Sequence, residues 1–154
     1  CISSAASDVY KRQFTIHAGE CGSVQNILDA VQCGASRIGH GIALRGQKEA
    51  IAFCRDRQIG IEMCPLSNMQ TKAVKDPAEY PIQEFLNANL LVTVNTDNRT
   101  VSQTTLEKEF AFIRERYAVT REQEVQMTKN AIEVAFASDA VKERLWKKMY
   151  TFEK

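Results

Sequence analysis

The chain has two histidines, and each sits in a short motif suited to chemistry. His17 is followed by Ala18-Gly19-Glu20, which sets a carboxyl group three residues from an imidazole. His40 stands between Gly39 and Gly41, and Asp97 stands between Thr96 and Asn98. Imidazole and carboxylate are ligands that a catalytic zinc takes while keeping one position open for water. The metal brings the pKa of that water toward neutrality, and a nearby carboxylic acid can protonate the leaving side of a substrate. On this chemistry His17 and Asp97 are candidate zinc ligands, Glu20 is a candidate proton donor, and His40 is a candidate to orient the hydroxide. The set is two ligands short, and no third histidine exists to complete it.

These residues need elements to hold them together, and the hydrophobic pattern predicts which. Residues 14–18 are short, apolar and β-rich, as a strand is. Val24, Ile27, Leu28 and Val31 then recur at helical spacing, with Ser23 as N-cap and Gly34 as the stop. Residues 36–41 read as a second strand, and 47–58 as a helix with Ala50, Ile51, Phe53 and Cys54 inward. A third strand runs to Pro65. Residues 66–80 read as loop, with Pro77 and Pro81 as breakers. A helix over 81–90 precedes a fourth strand, 91–97, apolar enough to be buried on both faces. Three helices close the chain, over 104–119, 120–137 and 138–152. They would present Leu106, Phe110, Ile113 and Tyr117, then Val125, Thr128, Ile132 and Phe136, then Val141, Leu145 and Met149.

Strand and helix alternate four times, which predicts βα units on a parallel sheet, half of a (β/α)8 barrel. The alternative is a doubly wound open sheet, but the turn after its first strand lacks the GxGxxG spacing that such sheets usually carry. In a barrel the chemistry gathers at the C-terminal ends of the strands. His17, His40 and Asp97 each fall at such an end, and Cys64 at the fourth. Taken singly, each has a plain reading as a hydrogen-bonded histidine, a tight turn or an Asx-rich loop. Both histidines falling at successive strand ends favours one shared site.

Of the 154 residues, 44% are hydrophobic and 25% charged, with a net charge of +1, so neither a nucleic-acid partner nor an acidic tail is expected. No apolar run reaches the ~20 residues of a membrane helix. Five cysteines without a CxxC pair fit reduced thiols. A cytoplasmic protein is expected. Residues 1–13, CISSAASDVYKRQ, carry no apolar period, and DVYKRQ matches the translation of a transposon-end sequencing adaptor. They are expected to be non-native, leaving 14–154 as half of a catalytic barrel.

Taken together, His17-Ala-Gly-Glu20, Ser36-Arg-Ile-Gly-His40-Gly, Cys64-Pro-Leu-Ser-Asn68 and Val94-Asn-Thr-Asp97-Asn98-Arg resemble the zinc-dependent adenosine deaminase family, bacterial type. The order and spacing match from Phe14 to nearly the C-terminus. The resemblance implies the C-terminal half of a (β/α)8 TIM-type barrel of metal-dependent hydrolase type, about four βα units plus C-terminal helices. It implies hydrolysis of adenosine or 2′-deoxyadenosine to inosine or 2′-deoxyinosine plus ammonia, in purine salvage. The other reading it leaves is deamination of adenine or another aminopurine. Its partner would be a purine nucleoside, and its cofactor one zinc ion per full-length subunit.

By position, His17 and Asp97 would ligate zinc, and Glu20 would protonate the purine at N1. His40 would orient and deprotonate the water. Gly19 would lie under the purine. Asn98, where the family often has a second aspartate, would contact it. The family's remaining two ligands form a His-x-His pair on its first strand, which this sequence does not contain. The zinc site is therefore expected to be incomplete in this chain, and the chain inactive by itself as a truncated half-barrel. The cytidine-deaminase zinc motif, H-x-E with P-C-x-x-C, has no counterpart here.

Overall fold

The computed structural model describes residues 13–152, the side chain of Phe152 excepted. The expected non-native segment therefore lies, but for Gln13, outside the described residues. Four strands form the sheet: β1 (Thr15–Ala18), β2 (Arg37–His40), β3 (Gly60–Met63) and β4 (Leu91–Val94). They run parallel in chain order, each bonded to the next. A doubly wound sheet would reverse its strand order at a switch point. This one does not, and a helix follows every strand, so the architecture is half of a (β/α)8 barrel.

Helices α1 (Val24–Gln32), α2 (Lys48–Asp56), α3 (Pro65–Gln70), α4 (Ile82–Asn87), α5 (Arg99–Ser102), α6 (Leu106–Tyr117), α7 (Arg121–Glu133) and α8 (Asp139–Phe152) complete the described chain. Ser23 caps α1, its side chain accepting from Gln25 N. Thr120 and Gln123 make a reciprocal capping box on α7. None of these helices is long and apolar enough to cross a membrane.

Strand side chains alternate between two faces, and the two faces here differ in chemistry. Ile38, Ile61, Val92 and Met63 are fully buried on the helix side, in one core with Ile27, Phe85 and Met127. Burying each such side chain contributes about 1.5–3 kcal/mol. The other face carries Thr15, Arg37 and Glu62, joined by an ion pair of 2.9 Å from Arg37 Nε and a hydrogen bond of 3.0 Å from Thr15 Oγ1. Polar side chains thus fill what would be the barrel interior. Asn130 of α7 donates to Val92 O at 2.9 Å and ties that helix to β4.

Three expectations are corrected. Residues 65–70, read as strand end and loop, form α3, whose first position Pro65 suits because its N–H is not needed there. Leu106, expected inward, is 48% exposed, while Glu109 on the same helix is fully buried. Glu109 Oε2 accepts from Leu66 N at 2.9 Å, so a carboxylate bonded to α3 takes the inward position of α6. On α7 the buried face carries Glu124, Met127 and Asn130 in place of Val125 and Thr128. Glu124 faces inward because Arg114 and Arg121 pair with its two oxygens at 2.7 and 3.0 Å.

Candidate active site

The four chemistry-bearing residues meet at the C-terminal rim of the sheet. His17 is the penultimate residue of β1, directly opposite Gly39 of β2. The imidazole lies close against that glycine, since a Cβ at Gly39 would sit 2.5 Å from His17 Cδ2. Any larger residue at 39 would push the ring away.

His40 would point to the helix side if β2 continued its alternation. Instead its φ is +69°, a left-handed conformation rarely adopted outside glycine. Gly41 continues the turn at +67°. The turn brings the imidazole back to the site, edge-on to His17 with 4.8 Å between ring centroids. His40 is 1% exposed. Burial lowers its pKa below the ordinary histidine range, and the neighbouring Glu20 carboxylate opposes that shift.

Glu20 is held at both oxygens. Oε1 accepts from Thr71 Oγ1 at 2.9 Å and from Asn68 Nδ2 at 3.5 Å. Oε2 faces His40 Nε2 at 3.6 Å, which is beyond hydrogen-bond length and leaves both atoms available to a third polar group. Gly19, just before it, has φ +69°, and a Cβ there would lie 2.4 Å from Ile27 Cδ1. Gly19 and Glu20 open onto a cavity of about 650 Å³.

Asp97 also takes a left-handed backbone, φ +53°. Its Oδ2 accepts from Ser67 Oγ at 2.7 Å, which leaves Oδ1 as a donor atom for a cation. His17 and Asp97 line one cavity of about 300 Å³ together with Gly39, Glu62, Cys64, Asn95 and Thr96. Burial, reinforced by Asp97 and three glutamates, pushes the Cys64 thiol up to about 12. Asn98 N-caps α5, its Oδ1 accepting from Thr100 N at 3.1 Å and Val101 N at 3.0 Å. Its amide nitrogen is left for other partners.

The structure therefore brings His17, Glu20, His40 and Asp97 to one rim, with Gly19 and Asn98 flanking it. Ser67, Asn68 and Thr71 bond to Asp97, His40 and Glu20, contacts that the sequence did not show. The signal for Ser67 and Asn68 was the motif CPLSN, which the structure makes the start of α3, and nothing in the sequence marked Thr71.

Imidazole nitrogen and carboxylate oxygen are the donor types that zinc takes in catalytic sites. Among the described residues no three His, Cys, Asp or Glu side chains come together as a metal cage. His17 and Asp97 are thus of the types that zinc takes, and among the described residues they do not by themselves complete a site.

The sequence model of the family described as Adenosine deaminase matches residues 5–152. An adenosine deaminase of Enterococcus faecalis is 50% identical over 135 residues, covering 88% of this chain and 40% of the relative. One of Shewanella halifaxensis is 46% identical over 136 residues, covering 88% and 41%. The chain thus spans about two-fifths of the length of these curated relatives. Among solved structures, an adenine deaminase of Arthrobacter aurescens superposes with a TM-score of 0.89 at 26% identity, covering 96% of this chain and 46% of that one. An amidohydrolase of Burkholderia ambifaria with bound zinc superposes at 0.84, covering 94% and 41%, and at 21% identity it supports the fold alone. On the family match and on the identities with these relatives, this chain belongs to the adenosine deaminase family.

Proposed function

We propose that this chain carries the proton-donating and half of the metal-holding machinery of a hydrolytic adenosine deaminase, acting on adenosine and 2′-deoxyadenosine. The observation that carries the reading is the convergence of His17, Glu20, His40 and Asp97 on one rim, two of them through left-handed backbone turns. Adenosine and water give inosine and ammonia. The oxygen of water adds at C6, the C6–N bond breaks, and the two protons of water end on N1 and on the departing nitrogen.

His17 and Asp97 would hold the zinc, with two ligands contributed from beyond the described residues. The bound ion supplies the Lewis acidity that makes a water nucleophilic near neutral pH. Glu20 carries a proton to N1, and Thr71 and Asn68 hold its other oxygen so that Oε2 faces the substrate. His40 presents Nε2 to the reacting oxygen. Gly19 leaves a flat floor beside Glu20 for the purine. Asn98 meets the base with Nδ2, a donor, because its oxygen is taken by the α5 cap. A donor suits an acceptor nitrogen of the ring.

A second reading, deamination of the free base adenine, is favoured by the Arthrobacter aurescens adenine deaminase at TM-score 0.89. One experiment separates the two. Residues 14–152 replace the matching stretch of the Enterococcus faecalis relative, and the loss of substrate absorbance is followed with and without added zinc. Zinc-dependent turnover of adenosine supports the first reading. Turnover of adenine alone moves the function to the base. A folded, zinc-loaded hybrid inert toward both sinks the deaminase reading.

A further inference from the structure

Asn68 is the most buried polar side chain near the rim, with no exposed surface at all. Its amide makes three contacts. Nδ2 lies 3.0 Å from Nδ1 of His40. The same Nδ2 lies 3.5 Å from Oε1 of Glu20. Oδ1 accepts from the Tyr80 hydroxyl at 3.3 Å.

An amide can be turned end for end, so its orientation has to be read from its neighbours. Here they agree. A carboxylate only accepts, so the end facing Glu20 must be the nitrogen. The Tyr80 hydroxyl suits either orientation, since a phenol both donates and accepts, and with the nitrogen toward Glu20 it donates to Oδ1. The reversed amide would set a carbonyl against the Glu20 carboxylate. An amide nitrogen cannot accept, so the hydrogen bond to His40 requires Nδ1 to be the acceptor. A neutral imidazole with an accepting Nδ1 carries its single proton on Nε2.

We infer that Asn68 is a positioning residue that holds His40 in the Nε2–H tautomer, so that His40 meets the reacting oxygen as a hydrogen-bond donor and not as its base. The tautomer follows from the contacts to Glu20 and His40. The role toward the reacting oxygen rests on the deaminase reading given above. The resemblance implies that His40 both orients and deprotonates the water, and this geometry keeps only the first of those. The proton lost by the water then passes to Glu20, which gives its own to N1, and one carboxyl serves both transfers.

The test uses the full chain labelled with nitrogen-15 at histidine. In the His17→Gln variant His40 is the one remaining imidazole. Its ring couplings are read at alkaline pH, where imidazoles are neutral. The expected result is a proton on Nε2 and a bare Nδ1. A proton on Nδ1, or a mixture of both forms, overturns the inference. Introducing Asn68→Asp replaces a donor with an acceptor and should move the proton to Nδ1. Asn68→Ala, which serves if the aspartate variant does not fold, should release a mixture. An unchanged Nε2–H form in whichever variant folds overturns the role of Asn68.

In the Enterococcus faecalis hybrid, Asn68→Asp should lower kcat about 100-fold, as losing one preorganised donor does, with KM for adenosine unchanged. A parent hybrid that is zinc-loaded and inert would count against the deaminase reading and leave the ring couplings readable, so the two failures are distinguishable.

Discussion

The two faces of the sheet are built on opposite terms. On the helix side, Ile38, Ile61, Val92 and Met63 pack without exposure against Ile27, Phe85 and Met127. Its polar groups bond to backbone, as Asn130 does to Val92 O, or pair with charge, as Glu124 does with Arg114 and Arg121. At the opposite rim, His40, Asn68 and Ser67 are buried, yet they are polar and joined to Glu20 and Asp97. The rim also holds two residues, His40 and Asp97, in left-handed backbone that costs on the order of 1–3 kcal/mol each. The helix face supplies the stability that lets the rim carry this strain. Changes to one face should move stability, and changes to the other should move chemistry.

The largest effect expected is at the rim. In the hybrid enzyme His17→Ala removes the proposed zinc ligand and should lower zinc retention and deamination by more than about 100-fold, with the unfolding midpoint of the metal-free protein nearly unmoved. Metal analysis alongside thermal unfolding checks both halves. On the helix face the pattern inverts. Phe85→Ala should cost about 3–5 kcal/mol in urea unfolding of the chain. If the rim lost as much stability and the core as little, the division of labour would be wrong.

Gly39→Ala sharpens the boundary between the faces. Gly39 belongs to the sheet, but its missing side chain is what His17 rests on. The added methyl should displace the imidazole and reduce zinc affinity about 10–100-fold while secondary structure by circular dichroism stays the same.

A titration offers a smaller effect. Burial pushes the Glu109 carboxyl above the ordinary glutamate range. Because its folded pKa is raised, its contribution to stability is full below the unfolded value of about 4.3 and is lost as pH rises through the folded value. The difference in urea stability between the native chain and Glu109→Gln should therefore shrink, or turn against the native chain, between acid and neutral pH. A difference constant over that range would show that Glu109 titrates as it does in the unfolded chain. The smallest effect is at Val101, 74% exposed on α5, where Val101→Ser should stay within about 0.5 kcal/mol.

Much of this was legible locally. Strands at 15–18, 37–40, 60–63 and 91–94 and the caps Ser23 and Thr120 follow from short apolar runs and capping residues, signals that lie within a few positions of each other. His17, Glu20, His40 and Asp97 were legible as a set because they fall at successive strand ends. What was hidden depends on contacts across the chain. Asn68 meets residues 28 and 48 positions away, and Ser67 meets Asp97 at 30. No periodicity encodes such pairings, so α3 reads as loop. Leu106 misleads for the same reason. Helical spacing places it inward, but the bond from Leu66 N draws Glu109 into the interior instead.

The central claim is that this rim performs deamination and that Glu20 is its proton carrier. The most direct measurement is kcat for adenosine in the zinc-loaded hybrid, with Glu20 and with Glu20→Gln, on samples matched for zinc content and unfolding midpoint. The amide keeps the size and hydrogen bonding of the side chain and removes its proton transfer, so kcat should fall about 100- to 10,000-fold. A glutamine variant that turns over adenosine at the parent rate would contradict the account.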